Sequence, residues 1–227
     1  MLRQLFDCES STYTYLVVDD STRLAALIDP VREQIDRDLG LIAELGVRLT
    51  HVFDTHMHAD HVTAAGLIRD LTGARTYASE KGAPCVDVRL HHGDLVELGD
   101  TMLQALATPG HTDDSMCIHK PGAVFTGDTL FVRGCGRTDF QNGDARALYA
   151  SITDVLFSLP DATVVYPGHD YRGFTSSTIG EERRFNPRIA NRNVDEFARL
   201  MSELRLPPPR RLAEAVPANR ACGVAEQ

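Results

Sequence analysis

The sequence predicts a layered α/β protein. Three observations carry that expectation: short β-rich runs arrive in pairs, helix-periodic stretches lie between the pairs, and no internal repeat or low-complexity linker interrupts them. Tyr13 to Asp19 reads as a strand, and Leu24 to Ile28 as its antiparallel partner across the polar turn Asp19-Asp20-Ser21-Thr22. Asp29-Pro30 stops that pair. From Val31 to Leu45, apolar residues recur at Ile35, Leu39, Ile42 and Leu45, which is helical spacing, and Gly46 closes the run. Val47 to Asp54 is a buried strand, and Ala64 to Leu71 a helix ending at Gly73. Short strands follow near Thr76 to Ala78, Asp94 to Leu98, Met102 to Thr108, Met116 to His119 and Ala123 to Thr126. Ala145 to Leu159 is an amphipathic helix stopped by Pro160, Thr163 to Tyr166 a strand, and Val194 to Leu204 a last helix. Pro207-Pro208-Pro209-Arg210-Arg211 reads as extended surface chain, because proline fixes φ and donates no backbone hydrogen bond.

The 227 residues are enough for one large domain with a sizeable core. No apolar run reaches the roughly 18 residues of a membrane span, and the opening Met1 to Asp7 lacks the pattern of a secretory or organelle leader, so a cytoplasmic location is expected. The formal net charge of -9 disfavours a nucleic-acid partner. Lys81 and Lys120 are the only lysines; the remaining basic residues are arginines, many in the second half, which leaves room for a local anion site. The five cysteines, Cys8, Cys85, Cys117, Cys135 and Cys222, are odd in number and show no Cys-x-x-Cys spacing. Reduced thiols are the simplest expectation.

The chemistry concentrates in Thr55-His56-Met57-His58-Ala59-Asp60-His61, a strand-to-helix loop carrying three imidazoles and a carboxylate. Neutral imidazole is the commonest metal ligand, and carboxylate is a frequent companion. Three further places repeat one grammar, a buried strand, a glycine turn and a metal-capable side chain: Pro109-Gly110-His111-Thr112, Gly127-Asp128-Thr129 and Pro167-Gly168-His169-Asp170. Rigid strand ends fix ligands well, and glycine permits close backbone approach. His51, His91, His92 and His119 lack this context and read as surface or core histidines.

Together His56-Met57-His58-Ala59-Asp60-His61, His111, Asp128 and His169 resemble the metallo-β-lactamase superfamily. The resemblance implies an αββα sandwich with a metal site at one edge of the sheets, on a single domain of residues 1–227 with a short C-terminal extension from about residue 175. Within the superfamily, Gly127 to Arg137 occurs in similar form in glyoxalase II and in persulfide dioxygenases. The next residues, Thr138-Asp139-Phe140-Gln141, are similar to the dioxygenases; glyoxalase II usually has Phe-x-Glu-Gly there. Tyr166 to Phe174, Glu181 to Arg188 and Ala215-Val216-Pro217-Ala218-Asn219 also resemble that family.

The resemblance implies one iron(II) per chain held by His56, His111 and Asp128, with His58, Asp60, His61 and His169 as outer groups. It implies oxidation of glutathione persulfide by O2 to sulfite and glutathione. Arg137, Arg188 and Tyr171 are the expected glutathione contacts, since guanidinium pairs bidentately with carboxylates, and Thr112 is expected to hydrogen-bond beside His111. Cys135 is expected as a small buried residue, with a redox-sensitive thiol the sharper alternative. A homodimer is expected by analogy. The competing expectation is a two-metal thioester hydrolase of the glyoxalase II type. The differing segment after Arg137 and the short C-terminal region argue against it.

Overall fold

The computed structural model describes residues 1–209 and 211–224. The strands run β1 Leu2–Asp7, β2 Thr12–Val18, β3 Leu24–Ile28, β4 Arg48–Phe53, β5 Arg75–Ser79, β6 Val88–Leu90, β7 Leu95–Leu98, β8 Thr101–Ala107, β9 Met116–Lys120, β10 Ala123–Gly127, β11 Val164–Pro167 and β12 Ser177–Thr178. The helices are α1 Ile35–Glu44, α2 Ala65–Thr72, α3 Ala145–Ala150, α4 Ile179–Phe185, α5 Val194–Glu203 and α6 Leu212–Arg220. The chain forms two compact units: Met1–Leu90 with Leu95–Leu103 and the chain from Pro208, and His91–Asp94 with Gln104–Pro207.

The first unit is built on a mixed sheet in the order β1-β2-β3-β4-β5-β6. β1, β2 and β3 pair antiparallel, and β3 to β6 run parallel. α1 and α2 are the crossovers that parallel neighbours require. Gly73, at φ 75°, ends α2 in the left-handed conformation and donates to Arg69 O. Leu16, Leu27, Ile42, Leu49, Val52 and Ile68 form this unit's core. Full burial of each such side chain stabilises by about 1.5–3 kcal/mol. The paired strands and both crossover helices match the sequence expectations. β1 was not foreseen; it pairs with β2 from Leu2↔Val17 to Asp7↔Thr12.

The second unit carries the sheet order β12-β11-β10-β9-β8. β10 and β11 are parallel, whereas β9 with β10, β11 with β12 and β8 with β9 pair antiparallel. Its core gathers Leu106, Val124, Leu130, Leu148, Ile152, Val165, Ile179 and Phe197. Asp144 caps α3 through the amides of Arg146 and Ala147, and Asn193 with Glu196 forms a capping box on α5. The expected single helix over Ala145 to Leu159 is corrected: α-helix ends at Ala150, a π-helical turn spans Ser151–Val155 and a 3₁₀ turn Leu156–Ser158. The Thr153 hydroxyl donates to Tyr149 O at 2.9 Å, four residues back, a bond that competes with the regular ladder.

The expectation of reduced thiols is also corrected. Cys85 and Cys222 form a disulfide across 137 residues, within the first unit. No local spacing announces such a pair; α6 brings Cys222 back to the chain between β5 and β6. Among the described residues, Cys8, Cys117 and Cys135 take no part in a disulfide. Pro207 to Pro209 have no regular structure, in line with their fixed φ, and Arg210 lies outside the described residues. No helix among the described residues is long and apolar enough to cross a membrane.

Candidate metal centre

In the first unit, β4 delivers the chain into Thr55 to His61, and α2 takes it away. Asp29, buried at the end of β3, organises this loop. Its Oδ1 accepts from Thr55 N at 2.7 Å and lies 3.1 Å from His58 Nε2, while Oδ2 accepts from the Thr55 hydroxyl at 2.9 Å. The same hydroxyl sits 3.0 Å from His56 Nδ1. Since it has given its proton to a carboxylate, it receives one from His56 Nδ1, which leaves Nε2 of His56 with its lone pair. One aspartate thus fixes the tautomer of His56 through Thr55 and the ring orientation of His58 directly.

Asp60 plays the matching part for His61, with Oδ2 at 2.9 Å from His61 Nδ1 and 3.0 Å from the Thr12 hydroxyl that donates to it. The ring centroids of His58 lie 4.2 Å from those of His56 and 4.3 Å from those of His61. Burial alone would discharge His58, but the carboxylates of Asp29, Asp54 and Asp60 push it up to about 10. Burial pulls His61 down, against the pull of Asp60 upward. Among the described residues, two atoms of this buried cluster have no hydrogen-bond partner, His58 Nδ1 and His61 Nε2. An unsatisfied buried nitrogen is costly. A metal ion that displaces the His58 Nδ1 proton fits that arrangement, and one donor atom from each of His58, Asp60 and His61 lies within 4.8 Å of the others.

The second unit brings together His111, Asp128 and His169. His111 follows β8, Asp128 follows β10 and His169 follows β11, as the strand-turn grammar predicts. His111 Nδ1 lies 2.8 Å from Arg137 O. A carbonyl only accepts, so Nδ1 carries the proton and Nε2 keeps its lone pair. That lone pair faces Asp128 Oδ2 at 3.5 Å, and His169 Nε2 lies 3.4 Å from Asp128 Oδ1. Oδ1 is buried and accepts no hydrogen bond from the described residues. A proton or a metal ion held between these atoms would offset the repulsion of their lone pairs. The donor set of nitrogen and carboxylate oxygen suits a transition metal. Gly168 explains the approach of β11: a Cβ there would stand 2.8 Å from Asp128 Oδ1.

The expected glutathione contacts all lie in this unit. Arg137 makes a bidentate pair with Asp139, through Nε at 2.6 Å and Nη2 at 2.7 Å. Its Nη1 donates to Pro207 O, and its guanidinium covers the Phe140 ring at 4.5 Å. The Arg137 pairing also holds the Asp139 carboxyl below its ordinary range. Arg188 Nη1 donates to Cys135 O at 2.6 Å. Tyr171 is 71% exposed and stacks on His169 at 5.6 Å. Thr112 is buried and shares a 2.7 Å hydrogen bond with Ser115. Cys135 is buried, and burial pushes its thiol pKa up against the pull of Arg188, so it is the small buried residue of the simpler expectation.

Sequence reasoning missed Asp29, Asp54 and Thr12 as parts of the site. Asp29 had a weaker signal, a carboxylate placed directly after the buried strand β3 but without the glycine turn of the ligand candidates. Its place before Pro30 suggested only a strand stop.

The metallo-beta-lactamase superfamily profile matches residues 9–169. The chain is 45% identical to human "Persulfide dioxygenase ETHE1, mitochondrial", over 99% of this chain and 89% of that protein. It is 33% identical to the probable hydroxyacylglutathione hydrolase glo2 of Schizosaccharomyces pombe, over 78% of this chain and 82% of that protein. The crystal structure of ETHE1 from Myxococcus xanthus superposes with a TM-score of 0.98 at 59% identity, covering 99% of this chain and 100% of that one. The fold is the α/β metallo-β-lactamase fold, with two mixed sheets plus helices, as the motifs implied. The chain belongs to the metallo-β-lactamase superfamily and, within it, to the persulfide dioxygenases.

Proposed function

We propose that this chain oxidises glutathione persulfide with O2 and water to sulfite and glutathione, using one iron(II) per chain held by His56, His111 and Asp128. The observation that carries the reading is the likeness to persulfide dioxygenase along 99% of the chain. The tautomers support it. His56 and His111 each give the Nδ1 proton to a protein oxygen and keep Nε2 for a metal. When bound, iron in a set of two histidines and one carboxylate supplies a redox-active centre with open positions.

The protein's own groups do the rest. Asp29, through Thr55, and Arg137 O hold the two imidazole protons away from the reacting side. His58, Asp60, His61 and His169 act as outer groups that orient ligands and solvent. The glutathione moiety has two carboxylates, and Arg137 and Arg188 are the cations proposed to meet them. Arg137 is already paired with Asp139, so a substrate carboxylate exchanges with Asp139 or shares the fork with it. Tyr171 offers an exposed aromatic face beside His169. Thr112 contributes by fixing the turn after His111. A homodimer and a cytoplasmic location complete the proposal; the human relative is named as mitochondrial.

One observation favours a second reading, a two-metal thioester hydrolase of the glyoxalase II type. The close donors of His58, Asp60 and His61, with two nitrogens lacking partners, form a second metal-capable set. A single preparation decides. Metal is counted per chain, and sulfite from glutathione persulfide is compared with hydrolysis of a glutathione thioester. About one iron per chain, as one three-ligand site demands, together with sulfite formation supports the dioxygenase. Two metals and thioester hydrolysis support the hydrolase.

A further inference from the structure

Asn219 lies 158 residues beyond His61, near the C-terminal end of α6, and has no place in the metal motif. Yet it is buried, and its side-chain amide is spent on the metal loop. Nδ2 donates to His58 O at 3.0 Å and to His61 O at 3.0 Å. Oδ1 accepts from Thr63 N at 2.9 Å. Both amide protons and one acceptor of a single side chain therefore tie three points of the stretch that carries His58, Asp60 and His61.

The neighbouring contacts show that this approach is built in. Gly66 N donates to Cys222 O at 2.9 Å. Gly223 has φ 73°, and a Cβ there would collide with Thr63 O. The Cys85–Cys222 disulfide fastens the same segment, and Cys85 O accepts from Arg69 Nη1 of α2 at 3.0 Å. The segment from Asn219 to Val224 is thus packed closely against the loop and the start of α2.

We infer that Asn219 is a positioning residue for the metal centre: its amide fixes the backbone at His58 and His61 and so sets where their rings and Asp60 stand. The inference rests on the reading of this loop as part of a metal site, and not on the identity of the substrate. Metals bind less tightly when their supporting hydrogen bonds are removed, typically by about 10- to 100-fold.

The test titrates metal-free full-length protein with cobalt(II) and follows the visible absorption bands, which report coordination geometry as well as affinity. Asn219→Asp keeps the shape and the acceptor for Thr63 N but loses both donors. Asn219→Ser shortens the side chain and serves if the first variant does not fold. The double variant Cys85→Ser/Cys222→Ser is the control, since it weakens the segment but keeps the amide. The expected result is a cobalt affinity about 10- to 100-fold lower for the Asn219 variants, with altered absorption bands. The disulfide variant should lose thermal stability with a smaller change in affinity. Wild-type affinity and bands in the Asn219 variants would overturn the inference. So would a loss that tracks thermal stability equally in all variants. Absence of dioxygenase activity in the wild-type protein would sink the proposed reaction while leaving the cobalt result intact.

Discussion

The Nδ1 of His111 donates to the backbone carbonyl of Arg137 at 2.8 Å, so the residue proposed to meet the substrate also fixes the tautomer of a metal-capable histidine. The carbonyl is held in place by the turn before it, where Gly136 N donates to Asp128 O at 2.9 Å. A Cβ on Gly136 would run into Asp128 O and stand 2.9 Å from His111 Nδ1. Gly136→Ala is therefore expected to lower metal affinity by about 10- to 100-fold. Metal content after dialysis against a graded chelator checks this; full retention of metal would contradict it.

Asp29 is the corresponding support in the first unit. It takes Thr55 N, the Thr55 hydroxyl and His58 Nε2 in one buried cluster. Removing one member of such a buried pair costs roughly 3–5 kcal/mol. Asp29→Ala is expected to lose stability on that scale and to bind metal poorly, read by urea unfolding and by metal analysis. A variant as stable as the wild type would show that the cluster is not the anchor described.

The fold was readable where periodicity and punctuation agree. β2 and β3, the helix ending at Gly73 and the helix starting near Val194 all fall within a residue or two of the expected limits. The strand-end grammar located His111, Asp128 and His169, because rigid strand ends and glycine turns leave local traces. Asp29 and Asn219 left weaker traces: their roles depend on partners brought from 26 and about 160 residues away. The Cys85–Cys222 pair was misread for the same reason, since its link is made by tertiary packing and not by spacing. The helix from Ala145 was overextended, because amphipathic spacing does not register the hydroxyl of Thr153 competing for a helix carbonyl.

The disulfide closes a long stretch of chain, and removing one such link typically costs about 2–4 kcal/mol. Cys85→Ser/Cys222→Ser is expected to unfold at lower urea concentration than the wild type under oxidising conditions. Adding a reductant should bring the wild type down to the variant. Identical unfolding of the two proteins before reduction would count against the pairing.

Asp19 makes a prediction about acid. Its carboxylate accepts from the Ser21 hydroxyl, from Thr22 N and its hydroxyl, and from the Thr101 hydroxyl. These bonds, Ser21 first, hold its pKa well below the ordinary range. A depressed folded pKa contributes stability in full above the unfolded value of about 3.9, and that contribution is lost as pH falls through the folded pKa. Asp19→Ala should therefore be less stable than the wild type at pH 7, and the gap should narrow below about pH 4. Thermal unfolding at the two pH values checks it; a gap that widens in acid has the wrong sign.

The most direct measurement is O2 uptake by the iron-loaded protein on adding freshly made glutathione persulfide, with sulfite and iron assayed in the same sample. O2 uptake matched by sulfite is expected, with about one iron per chain from a single three-ligand site. No O2 uptake by well-loaded protein would contradict it.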